Sequence, residues 1–165
     1  MEIAYTAEQE ALRDELRAYF AELMTDEVVE ECANGETGGP ASLAAVRQMG
    51  ADGWLGIGWP TEFGGQARPP MDGLIFNDEA AIANVPVPFL TINSVAPTIM
   101  AFGTDEQKGR WLPGLADAST IMAFAITEPD AGSNAHRLTT TARRDGDGWV
   151  LNGRKTFISG VDVAD

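Results

Sequence analysis

The sequence predicts an α+β fold, in which an all-helical N-terminal region is followed by an antiparallel β-region. Apolar residues recur at helical spacing through the first 119 residues, and two Thr/Gln capping boxes indicate helix starts. After Ser119 the pattern changes to short runs rich in threonine and aromatic residues, separated by Asn-Gly and Asp-Gly pairs typical of hairpin turns. We therefore expect a helical domain over residues 1–119 and the first part of a β-domain over residues 120–165.

The first helix is predicted to start after Thr6, which is a good N-cap, and to end near Thr25. Its apolar stripe comprises Leu12, Leu16, Tyr19, Phe20 and Leu23. Residues 26–40 mix acidic residues with glycines and a proline, which indicates a charged helix tail followed by a loop. A second helix is expected from about Ala41 to Gly50.

Residues 53–65 alternate glycines with bulky apolar residues, and Pro60 stops any helix, so this segment is interpreted as a buried irregular connection. A third helix is predicted over residues 70–84. Its core face would comprise Met71, Leu74, Ile75, Ala81 and Ile82. Asp78 would fall on that face, and we favour a structural explanation in which Asp78 or Glu79 caps a helix or pairs with an arginine. The alternative is a catalytic carboxyl with a raised pKa.

A kinked extended connection over residues 85–89 is expected to lead into a short apolar helix at residues 94–102. Thr104 and Gln107 form the second capping box, which starts the last predicted helix. Pro113 is expected to break this helix before a short continuation, because proline lacks the backbone N–H that an interior position needs.

The strand candidates of the second region are residues 120–127, 138–144, 149–151 and 155–159. Asn152-Gly153 lies between the last two, and this pair is a strong signal for a hairpin with a type I′ turn. Residues 145–148 offer a second reversal. The pattern predicts a β-meander whose last strand has an open edge.

The chain is strongly acidic, with a formal net charge of −14. Residues 1–36 hold 11 acidic and 2 basic residues, whereas residues 120–165 hold 6 and 5. The overall charge opposes binding to nucleic acid or to anionic membranes, and the β-region stays near neutral and free to meet an anionic ligand. No membrane span or secretory signal is expected, so we take the cytoplasm as the default location.

Several site chemistries are excluded by the residues present. The single cysteine, Cys32, and the single histidine, His136, cannot build a structural zinc site or an internal disulfide, and no metal site is expected. Dinucleotide, Walker and nucleophile-elbow glycine patterns are absent. A Ser–His–acid triad would have to use Ser133 with His136, and no third group is placed to orient them.

The most specific stretch of the chain runs from Ala123 to Asn134, because apolar residues lead into a polar turn that Pro129 forces. Its candidate ligand groups are Thr127, the N–H groups around Gly132, and Ser133, joined further along by Phe157 and Ser159. Such hydroxyls can bond the edge of a planar heterocycle while an aromatic ring covers its face. A ligand site and a merely capped turn beside a core aromatic remain equally consistent with these residue types.

Four segments in order resemble the acyl-CoA dehydrogenases: Gly56–Pro60 with Gly64-Gly65, Phe102–Lys108, Thr127–Ser133 and Leu151–Ser159. The resemblance spans essentially the whole chain, but it covers only the N-terminal helical domain and the first part of the middle β-domain of that family. It implies FAD-dependent α,β-dehydrogenation of an acyl-CoA thioester, with an electron-transfer flavoprotein as electron acceptor and a homo- or hetero-oligomeric assembly.

The resemblance also implies roles for individual residues. Thr127 would bond the flavin ring with Phe124 and Ile126 beside it, and Phe157 with Ser159 would flank the isoalloxazine. Gly132 and Ser133 would contact the flavin diphosphate, and Ser133 would also contact the acyl-CoA substrate.

No catalytic base is assigned in this chain, because the family's base is a glutamate of a C-terminal helical domain and none of the glutamates here matches it. We therefore expect these 165 residues alone to be inactive. Two alternatives stay open. The chain could belong to a non-catalytic partner subunit or truncated paralogue, or to an acyl-CoA oxidase or flavin monooxygenase of the same superfamily.

Overall fold

A computed structural model describes residues 4–34 and 39–165 of the chain. Within those residues, six α-helices precede a single β-hairpin. The helices are α1 (Ala7–Leu23), α2 (Asp26–Asn34), α3 (Pro40–Ala51), α4 (Pro70–Ile82), α5 (Ala96–Phe102) and α6 (Asp105–Ala116). The strands β1 (Thr141–Asp145) and β2 (Gly148–Asn152) pair antiparallel. The predicted α+β class, helical first and antiparallel β second, is confirmed.

Both predicted capping boxes are formed. The Thr6 hydroxyl accepts from the Gln9 N–H while the Gln9 side chain accepts from the Thr6 N–H, and Thr104 with Gln107 starts α6 in the same way. The predicted stripe of α1 is also confirmed, since it buries Leu12, Leu16 and Phe20. These are local patterns, which sequence spacing alone determines.

The charged segment after Thr25 is a helix of its own, α2, where a helix tail was predicted; residues 35–38 of the predicted loop lie outside the described part of the chain. The Glu31 carboxylate of α2 accepts N–H bonds from Ser42, Ala41 and Gly39 at the start of α3, at 2.7, 3.2 and 3.0 Å. These bonds, that of Ser42 foremost, hold the pKa of Glu31 below its usual range. The Glu31 carboxylate of α2 thus caps the N-terminus of α3.

Of the predicted core face of α4, only Ile75 is confirmed, and the other positions are wrong. The residues that α4 buries are Asp72, Ile75, Phe76, Glu79 and Ala80, whereas Met71, Leu74 and Ile82 are exposed. Asp78 is exposed too. The favoured explanation for a carboxylate in this helix is nevertheless confirmed for Glu79, which receives two bonds from the Arg17 guanidinium, at 2.8 and 3.1 Å. The bidentate pair fastens α4 to α1.

Pro113 lies inside α6 and does not break it, contrary to prediction. The helix continues because its last turn buries Leu112, Leu115 and Ala116 in the core. Immediately after α6, the Asp117 carbonyl lies so close to Gly50 of α3 that any larger residue there would overlap it. Glycine is therefore required where these two segments meet.

The irregular segment at residues 53–65 is buried as predicted at residues 54–57 and 59, where it contributes Trp54, Leu55, Ile57 and Trp59 to the core, whereas residues 60–62 are exposed. The apolar core extends from Leu12 to Ala118. Among the described residues after 119, only Glu128 and Ala131 are buried. No described helix has both the length and the apolar composition that a membrane crossing requires.

The β-region differs from the predicted meander in that its one hairpin turns at Gly146-Asp147, between Asp145 and Gly148. This was the second reversal suggested by the sequence. The predictions of a hairpin at Asn152-Gly153 and of a strand at residues 155–159 are wrong. Gly153 packs directly against Thr140, and the chain then crosses to residues 126–128 and does not fold back along β2.

The predicted strand at residues 120–127 is also wrong. Its backbone groups bond several separate partners and form no ladder: the Thr120 N–H donates to the Gly114 carbonyl, and the Met122 carbonyl accepts from the Thr91 hydroxyl at 2.7 Å. Thr91 belongs to a π-helical turn, Thr91–Val95, that leads into α5. The apolar residues of this segment, which suggested a strand, pack against the helical region instead.

Candidate functional site

The turn predicted after Ile126 is present and tight. The Glu128 N–H donates to the Ala131 carbonyl at 3.0 Å, and the Ala131 N–H donates back to the Glu128 carbonyl at 3.1 Å. Pro129 sits between them, where its missing N–H is not needed. The turn then presents Gly132 and Ser133 on the surface.

A buried carboxylate anchors this turn. The Glu128 side chain is 4% exposed and accepts bonds from the Thr139 N–H (2.7 Å), the Thr139 hydroxyl (2.8 Å), the Thr140 N–H (2.9 Å) and the Lys155 ammonium (3.0 Å). The arrangement provides hydrogen bonds to both carboxylate oxygens from two parts of the chain, Thr139-Thr140 and Lys155. It also removes Glu128 from consideration as a proton acceptor for substrate, because its lone pairs are occupied.

The pKa of Glu128 lies far below its usual range. The Thr140 side chain, the Thr139 N–H and Lys155 all favour the charged form and together outweigh the opposing effect of desolvation. Thr140 Oγ1 is itself buried and has no hydrogen-bond partner among the described residues.

Two sequence-predicted site segments lie side by side. The Thr156 N–H donates to the Thr127 carbonyl at 3.0 Å, and the Lys155 ammonium donates to the Ile126 carbonyl at 2.9 Å. These bonds join the segment of Phe124, Ile126 and Thr127 to that of Phe157 and Ser159, which are about thirty residues apart in sequence.

The apolar members of these segments are exposed. Phe124 and Ile126 expose 38% and 39% of their surface, and Phe157 exposes 90%. Phe157 also has a φ of +55°, the left-handed region that a bulky residue rarely adopts. Within this chain Phe157 is therefore not part of the apolar core, and its exposed ring on a strained backbone favours the ligand interpretation.

The polar members make no internal hydrogen bonds within residues 4–34 and 39–165. This holds for the hydroxyls of Thr127, Ser133 and Ser159 and for the backbone N–H groups of Gly132 and Ser133. Packing inside the described chain does not require glycine at 132, since a Cβ there would meet nothing within 4 Å. These donors are therefore available to a ligand with acceptor oxygens or ring nitrogens.

A cavity of about 440 Å³ opens beside these segments. Its walls come from residues 85–91, residues 121–123, Ser159 and Gly160, with Cys32 and Val46 on the helical side. The lining is mostly apolar, and the volume is in the range of small-molecule sites. Sequence spacing could not reveal this cavity, because it forms between α2, α3, the π-helical turn and the β-region.

No cluster of His, Cys, Asp or Glu in the described residues could hold a metal ion, and His136 is exposed after the turn.

Residues 6–119 match the family described as acyl-CoA dehydrogenase, N-terminal domain, and residues 123–165 match acyl-CoA dehydrogenase, middle domain. The chain belongs to the acyl-CoA dehydrogenase family. The resemblance stated from its motifs is thus confirmed.

Individual acyl-CoA dehydrogenases are similar over the whole chain. Acyl-CoA dehydrogenase FadE26 of Mycobacterium tuberculosis is 55% identical over 100% of this chain and 42% of its own length. The ChsE4-ChsE5 complex of the same species has a chain with a TM-score of 0.92, 55% identity and the same coverage of each chain. A structure titled Tcur3481-Tcur3483 steroid ACAD has a TM-score of 0.90 and 44% identity, covering 100% of this chain and 43% of that one. The chain therefore spans less than half the length of these relatives.

The residues present fit a flavin. Acyl-CoA dehydrogenase chemistry needs donors for a heterocycle edge and a diphosphate, and an apolar surface for the ring. The free N–H and hydroxyl groups and the exposed Phe124, Ile126 and Phe157 supply both kinds of surface. Sequence reasoning missed the Glu128–Lys155 pair that supports them. The available signal was an acid within the turn together with a lysine just before Phe157, but their pairing depends on tertiary structure.

Proposed function

We propose that the protein containing this chain catalyses FAD-dependent α,β-dehydrogenation of an acyl-CoA thioester, forming a 2-enoyl-CoA. The observation that carries the proposal is the set of unpaired donors and exposed apolar side chains on two adjoining segments, one of which lines an apolar cavity through Ser159, in a chain of the acyl-CoA dehydrogenase family. Bound FAD would supply the acceptor for the hydride that leaves the β-carbon.

The chain's own contribution is to bind and orient. Thr127 and Ser159 would hydrogen-bond the flavin ring, and Phe157, together with Phe124 and Ile126, would contact its apolar surface. The N–H groups of Gly132 and Ser133 would bond the diphosphate, with Ser133 also touching the acyl-CoA. Donors fixed before the reaction stabilise the charge that develops on the reduced ring without reorganising.

The cavity would receive the acyl group. Its lining includes Ser159, Val85 and Val46 and is mostly apolar, so an acyl chain bound there would lose part of its contact with water. A structural relative is titled a steroid ACAD. We accordingly propose a bulky, steroid-like acyl group as the substrate class to test first.

The base that removes the α-proton lies outside this chain in our proposal. Glu128 and Glu79 are committed to ion pairs, and Glu62 is exposed on a short 3-10 turn within the helical region. The chain alone is therefore expected to bind without turnover. An electron-transfer flavoprotein is the proposed electron acceptor.

The test uses the full-length protein. Its visible spectrum is expected to show bound flavin, and anaerobic titration with a panel of acyl-CoAs is expected to bleach that flavin with the preferred substrate. A colourless protein that takes up no added FAD would overturn the proposal. Rapid reoxidation of the reduced flavin by oxygen would instead indicate the oxidase or monooxygenase alternative.

A second candidate is a non-catalytic subunit of a hetero-oligomer. It is favoured by the ChsE4-ChsE5 structure, which is titled as a complex of two proteins. Co-purification with a second acyl-CoA dehydrogenase-like protein, and substrate bleaching only when both are present, would support it.

We also retain as a proposal the division of the chain into domains 1–119 and 120–165. Limited proteolysis should cut first near residue 120 if the two parts are separate units.

A further inference from the structure

Glu128 occupies a place between the two segments that carry the proposed flavin contacts. Its turn holds Thr127 on one side, and its carboxylate is bonded to Thr139, Thr140 and Lys155 on the other. The side chain is almost fully buried, and all four bonds are 3.0 Å or shorter. Buried charge-assisted bonds of this kind are directional, so they fix geometry as well as stabilise it.

Lys155 extends the connection to the second segment. Its ammonium bridges the Ile126 carbonyl and the Glu128 carboxylate, and its side chain is 25% exposed. The next residue, Thr156, donates its N–H to the Thr127 carbonyl. The charged pair and the backbone bond together set how far Thr127 lies from Phe157 and Ser159.

Phe157 needs such support. Its backbone is in the left-handed region, at a φ of +55°, and its ring is exposed, so packing of its own side chain does not hold it there. A strained residue persists only where surrounding contacts determine its conformation. Lys155 and Thr156, immediately before it, make those contacts.

We propose that Glu128 and Lys155 are a positioning pair, which fixes the separation between the Thr127 segment and the Phe157–Ser159 segment before flavin binds. The inference rests on the proposed function, since it assigns the pair a role towards the same cofactor. Pre-organisation of this kind raises affinity by lowering the entropy cost of ordering the site on binding.

The experiment compares Glu128→Gln and Lys155→Met with Glu79→Gln in the full-length protein. Glu79 is the matched control, because its side chain is only 7% exposed and pairs with Arg17, yet it lies on α4 away from the turn. Each variant is measured for FAD dissociation constant, for the visible spectrum of bound flavin, and for melting temperature without cofactor.

Glu128→Gln and Lys155→Met are each expected to weaken FAD binding about tenfold and to shift the flavin absorption band. Their double variant should be no weaker than either single one, because the pair acts as a unit. Glu79→Gln should lower the melting temperature but leave FAD affinity and spectrum unchanged.

The proposal is overturned if Glu128→Gln and Lys155→Met both bind FAD as the wild type does with the same spectrum. It is also overturned if Glu79→Gln weakens FAD binding equally, since the effect would then be one of general stability. If Glu128→Gln does not fold, Lys155→Met decides alone.

A wild type that binds no FAD would overturn the proposed function instead. Amide exchange in the cofactor-free protein still tests the pair in that case. Faster exchange at Thr156 in Glu128→Gln, but not in Glu79→Gln, is expected, and unchanged exchange would sink the inference.

Discussion

The helical region and the segment after residue 119 are stabilised in different ways. The helical region has one continuous apolar core, in which Leu16, Phe20, Met49 and Leu112 are completely buried. In the described segment after residue 119, by contrast, most large apolar side chains face outward. Trp149, Leu151 and Phe157 expose 65, 73 and 90% of their surface. In that segment, the polar bonds around Glu128 and Lys155 join residues 126–128 to residues 139–140 and 155–156.

This difference shows that the interactions that stabilise the fold are distinct from those that fix the geometry of the candidate site. Apolar burial contributes free energy in proportion to area but has little directional preference, so it holds a region together without fixing a particular donor. Hydrogen bonds to a buried carboxylate bury little apolar area, but they fix the positions and angles of their donors. In this chain the first kind of interaction supports the scaffold, and the second kind supports the candidate site.

The largest effect is expected in the core. Phe20→Ala should lower the free energy of unfolding by about 3–5 kcal/mol, because the ring is fully buried against Phe76, with centroids 5.8 Å apart. Urea unfolding followed by far-UV circular dichroism measures it. Phe102→Ala, at an 86% exposed position, is the control and should change stability by less than about 0.5 kcal/mol. An equal loss of stability in Phe20→Ala and Phe102→Ala would contradict the view that the apolar core stabilises the helical region.

Gly50→Ala comes next. A Cβ at Gly50 would overlap the Asp117 carbonyl, and backbone cannot yield as a side chain can, so a loss of about 1–3 kcal/mol is expected. Gly73 of α4 is a matched control, since a Cβ there meets nothing within 4 Å, and Gly73→Ala should stabilise by about 0.4–1 kcal/mol. The two changes should thus have opposite signs in the same unfolding assay.

Removal of a helix cap should have a smaller effect. Thr104→Ala deletes the hydroxyl that accepts from the Gln107 N–H at the start of α6, and about 1 kcal/mol should be lost. Thr98→Ala removes only the bond that the Thr98 hydroxyl of α5 donates to the Ser94 carbonyl of the π-helical turn, and it should cost less than about 0.5 kcal/mol. Thermal unfolding of both variants tests the ranking.

Lowering the pH is expected to have the smallest effect on overall unfolding. The folded pKa of Glu128 lies below its ordinary value of 4.5, so its stabilisation is complete above that pH and is lost as the pH falls below it. Amide exchange at Thr139 and Thr156, corrected for intrinsic rates, should accelerate there while helical circular dichroism is retained. Simultaneous loss of both signals would show that the two regions do not differ in this way.

Local features were predictable from the sequence, because spacing alone determines them. The capping boxes, the α1 stripe and the turn forced by Pro129 are of this kind. The core face of α4 was not, since this helix has apolar residues on both sides and buries Glu79 against an arginine 62 residues away. The Asn152-Gly153 hairpin was wrong because contacts with Thr140 and Thr127 direct the chain elsewhere.

For the candidate site, sequence identified the residues but not their support. Thr127, Ser133, Phe157 and Ser159 were singled out by residue type and family resemblance, and their assigned roles remain proposals. The pairing of Glu128 with Lys155 spans 27 residues and the cavity involves several elements, so neither leaves a local pattern.

The cavity wall also offers a practical probe. Cys32 is the one cysteine of the chain, lines the cavity and contacts the Ser42 hydroxyl at 3.5 Å. A thiol-reactive fluorophore attached there would carry its signal at the cavity, and the same position would allow acyl groups to be ranked by how far they slow the labelling. Occupancy could then be followed without turnover, in a chain expected to bind but not to react.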